Sequence, residues 1–337
     1  MSIIMLEDNI LKKIIAIILP LAFIFAGCGV SAAAADDSRV RVVATIFAPY
    51  DFTRQIAGDS ADITMLLQPG GDVKSFEPTP QDILRIQNSD IFIHGGGEFW
   101  VESILSSIDT SDMIIVRMMD YAELLREEIV PGMDFNPPAA PVNFNPNWCV
   151  VCDEQPTRFY KNVYDEHVWT SPTNAILIAQ GITDALVRAD PNNSRLYEQN
   201  ATDFIAQLEQ LDAAFREVVE FRTRDTIVFG DRFPFRYFVH AYGLEYYAAL
   251  PGCSSTTEPS AATVAFLINK IIDEDIPIVF HAEMSNQRLA NTIAEATGAN
   301  VRLLHAAHNV SRDEFRAGVT YIDLMTQNVE TLREALW

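Results

Sequence analysis

The sequence predicts an α/β protein of two lobes, and three observations support this prediction. Short apolar strand patterns alternate with helical patterns in two series, one before residue 194 and one after residue 222. Such alternation is typical of parallel sheets, because a helix has to carry the chain back to the same edge of the sheet. Between the two series lies a helical pattern of about 28 residues, which would be about 42 Å long at about 1.5 Å per residue. A helix of this length could run the whole height of a two-lobed molecule.

The first lobe begins with a β-branched run at residues 40–46, as a buried parallel strand requires. The next strand pattern ends at Gln-Pro-Gly-Gly-Asp, residues 68–72, and the third ends at three glycines, residues 95–97. Thr79 is a typical helix cap, with Pro80 in the first turn after it. The predicted strands are 40–46, 61–67, 91–94 and 113–117, and the predicted helices are 49–58, one that opens at Thr79, and 172–187.

The long helix and the second lobe follow. Ser194 caps the long helix, and apolar residues recur along it at roughly helical spacing. Gly243 and Gly298 each follow a helical pattern in the second lobe, where glycine is a common C-terminal cap. The predicted strands of this lobe are 226–229, 244–249, 276–280 and 301–304, and its predicted helices are 234–242, 260–273, 286–297 and 315–336.

Composition limits the function classes. Of the 337 residues, 49% are hydrophobic, which is ample for a large core, and the length indicates two domains. The formal net charge is −22. A chain this acidic repels nucleic acid and anionic lipid headgroups, so neither is expected as a binding partner.

The N-terminus has the pattern of an export signal. Lys12 and Lys13 precede an apolar run at residues 14–26, which is short for a membrane span. The run ends in Phe-Ala-Gly-Cys, and small residues before Cys28 resemble a lipobox, in which the cysteine is diacylated and becomes the mature N-terminus. The alternative is an ordinary signal peptide cleaved within residues 32–35.

A long surface loop rich in Pro and Asn interrupts the first lobe at residues 131–157. Cys149 and Cys152 within it are close enough to form a disulfide, which an exported compartment permits, and Cys253 is left over. The Cys-x-x-Cys spacing resembles a redox motif, but a redox motif needs a strand before it and a helix after the first cysteine. A local disulfide or a metal clip in the loop is therefore the favoured interpretation.

Several motifs along residues 40–337 together resemble one family, the zinc and manganese solute-binding lipoproteins of ABC importers, which have also been described as adhesins. The motifs are QPGGDVKSFEPTP at 68–80, DEHVWTSPTNA at 165–175, YGL at 242–244, EPS at 258–260, ATG at 296–298 and GVTYIDLMTQNVETL at 318–332. The resemblance implies the metal-type solute-binding fold, in which one long rigid helix joins two lobes and the ligand lies between them. Loops at the carboxyl ends of parallel strands then form the site.

The resemblance divides the chain into five segments. It predicts a lipoprotein signal peptide at 1–27, a flexible tether at 28–39, an N-terminal lobe at 40–193 with the inserted loop 131–157, a linking helix at 194–222 and a C-terminal lobe at 223–337.

The resemblance also implies four metal-ligand positions, two in each lobe. The first falls on Lys74, where the family has His, and a charged ammonium has no lone pair with which to bind a metal. The second falls on His167, which matches the family motif. The third falls on Arg232, although the carboxylate of Asp231 next to it could supply an oxygen.

The fourth position falls on His305, at the end of a predicted strand, and His308 could substitute for it. His281 and Glu283 also follow a strand and are further candidates. We predict His167, His305, Glu283 and Asp231 as ligands. Lys74 could either swing out of the site or occupy the place of the metal, where it would pair with Glu283 or Asp231.

Two histidines are assigned outside the site. His94 and His240 are interpreted as polar surface residues, since a lone exposed histidine is usually no more than that. His240 lies on a predicted helix, where it could also be a packing residue.

The resemblance predicts an extracytoplasmic receptor that captures a divalent transition metal, zinc first and manganese second, and delivers it to an ABC permease and its ATPase. The chain is predicted to be a monomer that is held at the cell membrane by a lipid on Cys28. No phosphate-binding loop and no G-x-S-x-G nucleophile motif occurs in the sequence, so an enzyme is not predicted. The alternatives are a binding protein or adhesin with a non-metal or lost ligand, and a thiol redox protein using Cys149 and Cys152.

Overall fold

A computed structural model of the chain describes residues 39–133, 163–252 and 258–337. The four cysteines, the predicted signal peptide and most of the predicted inserted loop lie outside these described residues. The predictions of lipidation at Cys28 and of a Cys149–Cys152 disulfide, and the unpaired Cys253, therefore stay predictions.

The first parallel sheet lies in the N-terminal part of the chain. Its strands are β1 (Val40–Ala44), β2 (Ala61–Met65), β3 (Ile91–His94) and β4 (Ile114–Arg117), in the order β2-β1-β3-β4 with every pair parallel. The helices of this region are α1 (Phe47–Ala57), α2 (Pro80–Gln87), α3 (Val101–Leu105) and α4 (Pro172–Ala189). Thr79 caps α2 in a reciprocal capping box with Asp82, as its sequence predicts.

The second sheet repeats this arrangement after the long helix α5 (Ser194–Glu220). Its strands are β5 (Thr226–Phe233), β6 (Glu245–Pro251), β7 (Ile278–His281) and β8 (Asn300–Leu303), in the parallel order β6-β5-β7-β8. Its helices are α6 (Arg236–Tyr242), α7 (Ala261–Asp273), α8 (Arg288–Thr297), α9 (Arg312–Ala317) and α10 (Tyr321–Leu336). The predicted class, two parallel α/β sheets with a long helix between them, is confirmed.

Helix α5 packs against elements on both sides of the molecule. It has 27 residues, so it is about 40 Å long at about 1.5 Å per residue. Near its start Phe204 packs against Phe52 of α1, with ring centroids 5.3 Å apart, and near its end Phe215 packs against Phe238 of α6 at 4.9 Å. One buried apolar cluster includes residues of both sheets, so the described parts of the two lobes share a core.

The prediction of a single closing helix at 315–336 is wrong. The segment forms two helices, α9 and α10, because Gly318 adopts a left-handed φ of 73° that ends α9. Thr320 then starts α10 with a new capping box to Asp323. The apolar spacing continues across the break, which is why periodicity alone missed it.

Strand β5 is longer than predicted and continues to Phe233 through a shift in register after Phe229. Asp231 and Arg232 therefore lie within a strand rather than in the loop after it. In the described residues no helix combines the length and the apolar character needed to cross a membrane.

Candidate metal centre

The loops at the carboxyl ends of strands from both sheets meet between the lobes, where ligands of open α/β sheets usually bind. Lys74 follows β2, Glu98 follows β3, and Glu283 follows β7, while residues 305–308 follow β8. The segment just before α4 contributes residues 165–169. Trp169 joins the two sides of this cleft, because its Nε1 donates to the carbonyl of Ala306 at 2.7 Å.

Within the described part of the chain, one group of side chains brings three metal-ligating atoms together. Glu166, His167 and His308 each offer one such atom, and the three lie within 4.8 Å of one another. Glu166 and His167 precede α4 of the first lobe, while His308 follows β8 of the second. The group therefore spans the cleft.

The imidazole of His167 is held in one orientation by Asp165. It is fully buried, and its Nδ1 lies 2.9 Å from Asp165 Oδ1, to which it donates. In the neutral ring this hydrogen bond leaves the lone pair on Nε2, and that atom is buried and has no hydrogen-bond partner among the described residues. Histidine ligands of zinc usually donate their other nitrogen to a carboxylate in this way.

The pKa of His167 is raised above its ordinary value. Burial lowers the pKa, but the negative charges of Asp165 and Glu166 and the hydrogen bond to Asp165 outweigh burial and the opposing charge of Lys74. The same pair lowers the pKa of Asp165, since the His167 charge and hydrogen bonds outweigh its burial. His167 therefore keeps a second proton, on Nε2, to a higher pH than an ordinary imidazole does.

His308 is in the opposite electrostatic state. Burial and the neighbouring charges of His167, Lys74 and His305 lower the pKa of His308 well below its ordinary value, so the imidazole is neutral at neutral pH and has a lone pair available. Its ring packs edge-on against that of His167, with centroids 4.6 Å apart. The carbonyl of His308 accepts from the backbone N–H of Phe47 at 2.8 Å, which ties this loop to the start of α1.

Glu166 forms an ion pair with Lys74, whose Nζ lies 3.2 Å from Glu166 Oε1. Both side chains are mostly buried, with exposures of 26% for Lys74 and 14% for Glu166. A side chain at Gly97 would overlap the Glu166 carboxylate, so glycine is needed where β3 runs into the cleft. The lysine thus neutralises the carboxylate of the group.

Glu283 contacts backbone rather than the three-residue group. Its two carboxylate oxygens accept the N–H groups of Ala306 and His308, both at 2.8 Å. The carboxylate therefore supports the loop that presents His308. As a direct ligand Glu283 stays a prediction.

One ring nitrogen of His305 is occupied by a hydrogen bond within its own loop. Its Nδ1 accepts from the backbone N–H of Ala307 at 3.0 Å, which in a neutral ring leaves the proton on Nε2. That nitrogen is buried and without a hydrogen-bond partner in the described residues. To bind a metal through Nε2, the ring would have to give up this proton.

The remaining predicted ligands lie outside the three-residue group. Asp231 Oδ1 accepts the backbone N–H of Arg232 at 2.8 Å, and His281 Nδ1 lies 2.8 Å from the carbonyl of Ala282. Lys74 pairs with Glu166 rather than with Glu283 or Asp231, the two partners weighed from the sequence. Glu166 itself was not singled out, although its position directly before His167 in the DEHVW motif is a signal that could have found it.

The interpretation of His94 as a surface residue is wrong. Its side chain is buried on β3, and Nδ1 lies 3.6 Å from Glu98 Oε2. Burial raises the pKa of Glu98, but His94, Thr45 and the Gly95 N–H outweigh burial and lower the pKa to about 2. His240 is exposed, as expected.

Replacing Glu283 with glutamine is expected to weaken metal binding about tenfold, because an amide has only one acceptor oxygen for the two N–H groups that position His308. Calorimetric titration with zinc measures the change. Glu258→Gln is the matched control, since that side chain is 75% exposed. An unchanged zinc affinity in Glu283→Gln would show that the loop does not depend on this carboxylate.

The fold and the site define a class: a solute-binding protein whose cleft between two α/β lobes holds candidate metal ligands. The chain matches the family model described as zinc-uptake complex component A, periplasmic, over residues 42–335, and it belongs to that family. The resemblance found in the motifs is thereby confirmed. The family consists of solute-binding proteins and not of enzymes, and such proteins deliver their ligand to the permease and ATPase of an ABC transporter.

The similar proteins agree with this assignment. The chain is 29% identical over 336 residues to the high-affinity zinc uptake system protein ZnuA of Bacillus subtilis, covering 93% of this chain and 96% of that protein. It is 27% identical over 300 residues to the zinc-binding lipoprotein AdcA of Streptococcus pneumoniae, covering 88% of this chain but only 56% of AdcA. The crystal structure of the Zn(II)-bound ZnuA-like domain of that AdcA superimposes with a TM-score of 0.69 at 27% identity, covering 88% of this chain and 99% of the domain.

Proposed function

We propose that this chain captures a divalent transition-metal ion, zinc first, between its two lobes and passes it to the permease of an ABC importer. The observation that carries the proposal is the buried, unpartnered Nε2 of His167, oriented by Asp165 and close to Glu166 and His308. Capture requires no bond-making chemistry from the protein beyond coordination. The names of the relatives ZnuA and AdcA support zinc as the ion.

The three donors fit zinc after a small closure. Zinc binds nitrogen and oxygen ligands at about 2.0–2.1 Å, which puts tetrahedral donors about 3.4 Å apart. The three donor atoms lie within 4.8 Å of one another, so they have to approach by at most about 1.4 Å. Release of Glu166 from Lys74 would allow part of this movement.

The choice of zinc over manganese rests on the donor set. Two imidazoles and one carboxylate suit zinc, whereas manganese prefers more oxygen ligands. Manganese remains the second candidate.

Titration calorimetry of metal-stripped protein with zinc and with manganese tests the proposal. We expect one zinc ion bound per chain, a rise in melting temperature with zinc because a ligand that binds only the folded state stabilises it, and weaker binding of manganese. Zinc heats equal to those of a buffer blank would contradict the proposal.

Zinc affinity is expected to rise with pH, and the rise should continue above the ordinary pKa of histidine. Because the pKa of His167 is raised above its ordinary value of 6.5, the proton competes with zinc until the pH exceeds that raised value. Below it, affinity should fall by up to about tenfold per pH unit, and about one proton should leave for each zinc bound. Calorimetry in buffers of different ionisation enthalpy counts the released protons. A zinc affinity that stays constant between pH 6 and 8 would refute this coupling.

We also propose that Cys28 carries the lipid that holds the protein at the outer face of the cell membrane. The position of Cys28 after an apolar run and small residues supports this, as do relatives that are named as lipoproteins. Mass spectrometry of the mature N-terminus should detect a diacylated Cys28. A mature chain beginning after residues 32–35 would instead identify an ordinary signal peptide.

One observation favours a second function, a binding protein or adhesin that has lost its metal. Lys74 pairs with Glu166 at 3.2 Å and so places a cation beside the candidate ligands. The zinc titration separates the two functions, since a receptor without a metal would bind none. The third alternative, thiol redox work by Cys149 and Cys152, is tested by alkylation and intact mass, which would detect free thiols.

A further inference from the structure

A cavity of about 80 Å³ opens in the cleft against Glu166 and His308. Its volume is several times the roughly 10–15 Å³ that one water molecule requires. Lys74 and Glu98 contribute charged groups to its lining, and aromatic side chains form much of its wall: Phe76, Phe99, Trp100 and Trp169. The cleft therefore has room for more than a metal ion.

Among the described residues, the group supplies one donor fewer than a zinc site needs. The three-residue group offers one carboxylate and two imidazoles, whereas zinc takes four ligands. The neighbouring side chain on the cavity side is Lys74, which has no lone pair while it is charged. The described residues thus leave one coordination position that a ligand from outside the protein can fill.

Charge indicates what that ligand is. The Glu166 carboxylate is balanced by Lys74 in the structure, so an arriving dication would have to share that carboxylate with Lys74, and the Asp165 carboxylate lies on the far side of His167, bonded to its Nδ1. Like charges in a partly buried site repel strongly, because the local dielectric is lower than that of water. A water molecule could fill the coordination position, but it would not offset this charge.

Glu98 also lines the cavity, but its oxygens are already used in hydrogen bonds. Its oxygens accept from Thr45 Oγ1 at 2.7 Å and from the N–H groups of Gly95 and Gly96 at 2.8 Å, and His94 Nδ1 lies 3.6 Å from Oε2. These hydrogen bonds hold the Glu98 carboxylate against the turn after β3. A small anion from solution could bring both an oxygen ligand for the metal and a hydrogen-bond acceptor for Lys74.

We propose that the cleft binds its metal ion together with a small carboxylate from solution, and that Lys74 is the residue that recognises this carboxylate. One oxygen of the anion would fill the fourth position on the metal, and the other would accept a hydrogen bond from Lys74 Nζ. The short organic part would lie against Trp100 and Phe76, which an inorganic ion such as chloride would leave uncovered. The inference rests on the proposed metal-binding function.

The test compares zinc titrations of metal-stripped protein at constant ionic strength in chloride alone and in acetate. Acetate is expected to tighten zinc binding about threefold to tenfold in the wild-type protein and to leave the zinc affinity of Lys74→Met unchanged. Lys270→Met is the matched control, because Lys270 lies on α7 and pairs with Glu274, and it should respond to acetate as the wild type does. Melting curves check that each variant is folded.

A spectroscopic measurement on the wild-type protein tests the inference without the use of a variant. Cobalt(II) replaces zinc in such sites, and the intensity of its visible bands reports the coordination number, so acetate should change the spectrum of the cobalt-loaded wild-type protein. Equal zinc affinity in chloride and acetate would overturn the inference and leave the metal-binding function intact. An equal gain in Lys74→Met would overturn the role of Lys74. Zinc binding in neither buffer would overturn both the inference and the proposed function.

Discussion

Replacement of His167 with alanine is expected to weaken zinc binding by about 100-fold or more. The change removes the one imidazole whose Nε2 is buried, oriented by Asp165 and unpartnered among the described residues. Loss of a supporting residue alone typically costs about 10–100-fold in metal affinity, and the loss of a ligand should cost at least as much. Calorimetric titration with zinc measures the effect.

His240→Ala is the matched control, because His240 is exposed and lies on α6. His167 is fully buried, so His167→Gln provides a second variant with less loss of packing. Melting curves in the absence of zinc separate a folding defect from a binding defect. If folded His167→Ala bound zinc as tightly as the control, His167 would not be a ligand.

The second large expected effect is an increase in zinc affinity. Lys74→His is expected to tighten zinc binding by about tenfold or more, because it removes the cation that pairs with Glu166 at 3.2 Å and adds an imidazole beside the site. Lys74→Gln divides the two contributions, since it removes the charge without adding a nitrogen lone pair. The order of affinity should be His, then Gln, then Lys.

Competition with a zinc chelator of known affinity measures this order. Variants that bind zinc no more tightly than the wild type would show that Lys74 already leaves Glu166 free when the metal arrives. An imidazole at position 74 should also abolish any response to acetate, because it would fill the fourth coordination position.

Local patterns were enough to predict most of the fold. The β-branched run at residues 40–46 and the spacing along residues 194–222 anticipated β1 and α5, since both depend on short-range side-chain periodicity. The break between α9 and α10 was missed, because a single left-handed residue, Gly318, interrupts an apolar pattern that continues past it. The extension of β5 through Asp231 was missed as well, since it depends on pairing with β6.

The site was only partly predictable for a related reason. His167 was found because it lies inside a contiguous motif. Glu283 was proposed as a ligand from its position after a strand, but sequence does not say which way a side chain points, and in the structure its oxygens hold the backbone of Ala306 and His308. The ligand assignments themselves stay predictions until zinc is titrated.

The amino-acid sequence by itself determined the α/β class, the long helix and the family, because periodicity and contiguous motifs are local properties of the chain. Only the tertiary structure decided that Glu166, His167 and His308 lie together and that Lys74 pairs with Glu166. The four residues come from three distant segments of the chain, which lie after β2, before α4 and after β8. Their meeting depends on how two sheets pack around one core, which no single segment of the sequence encodes.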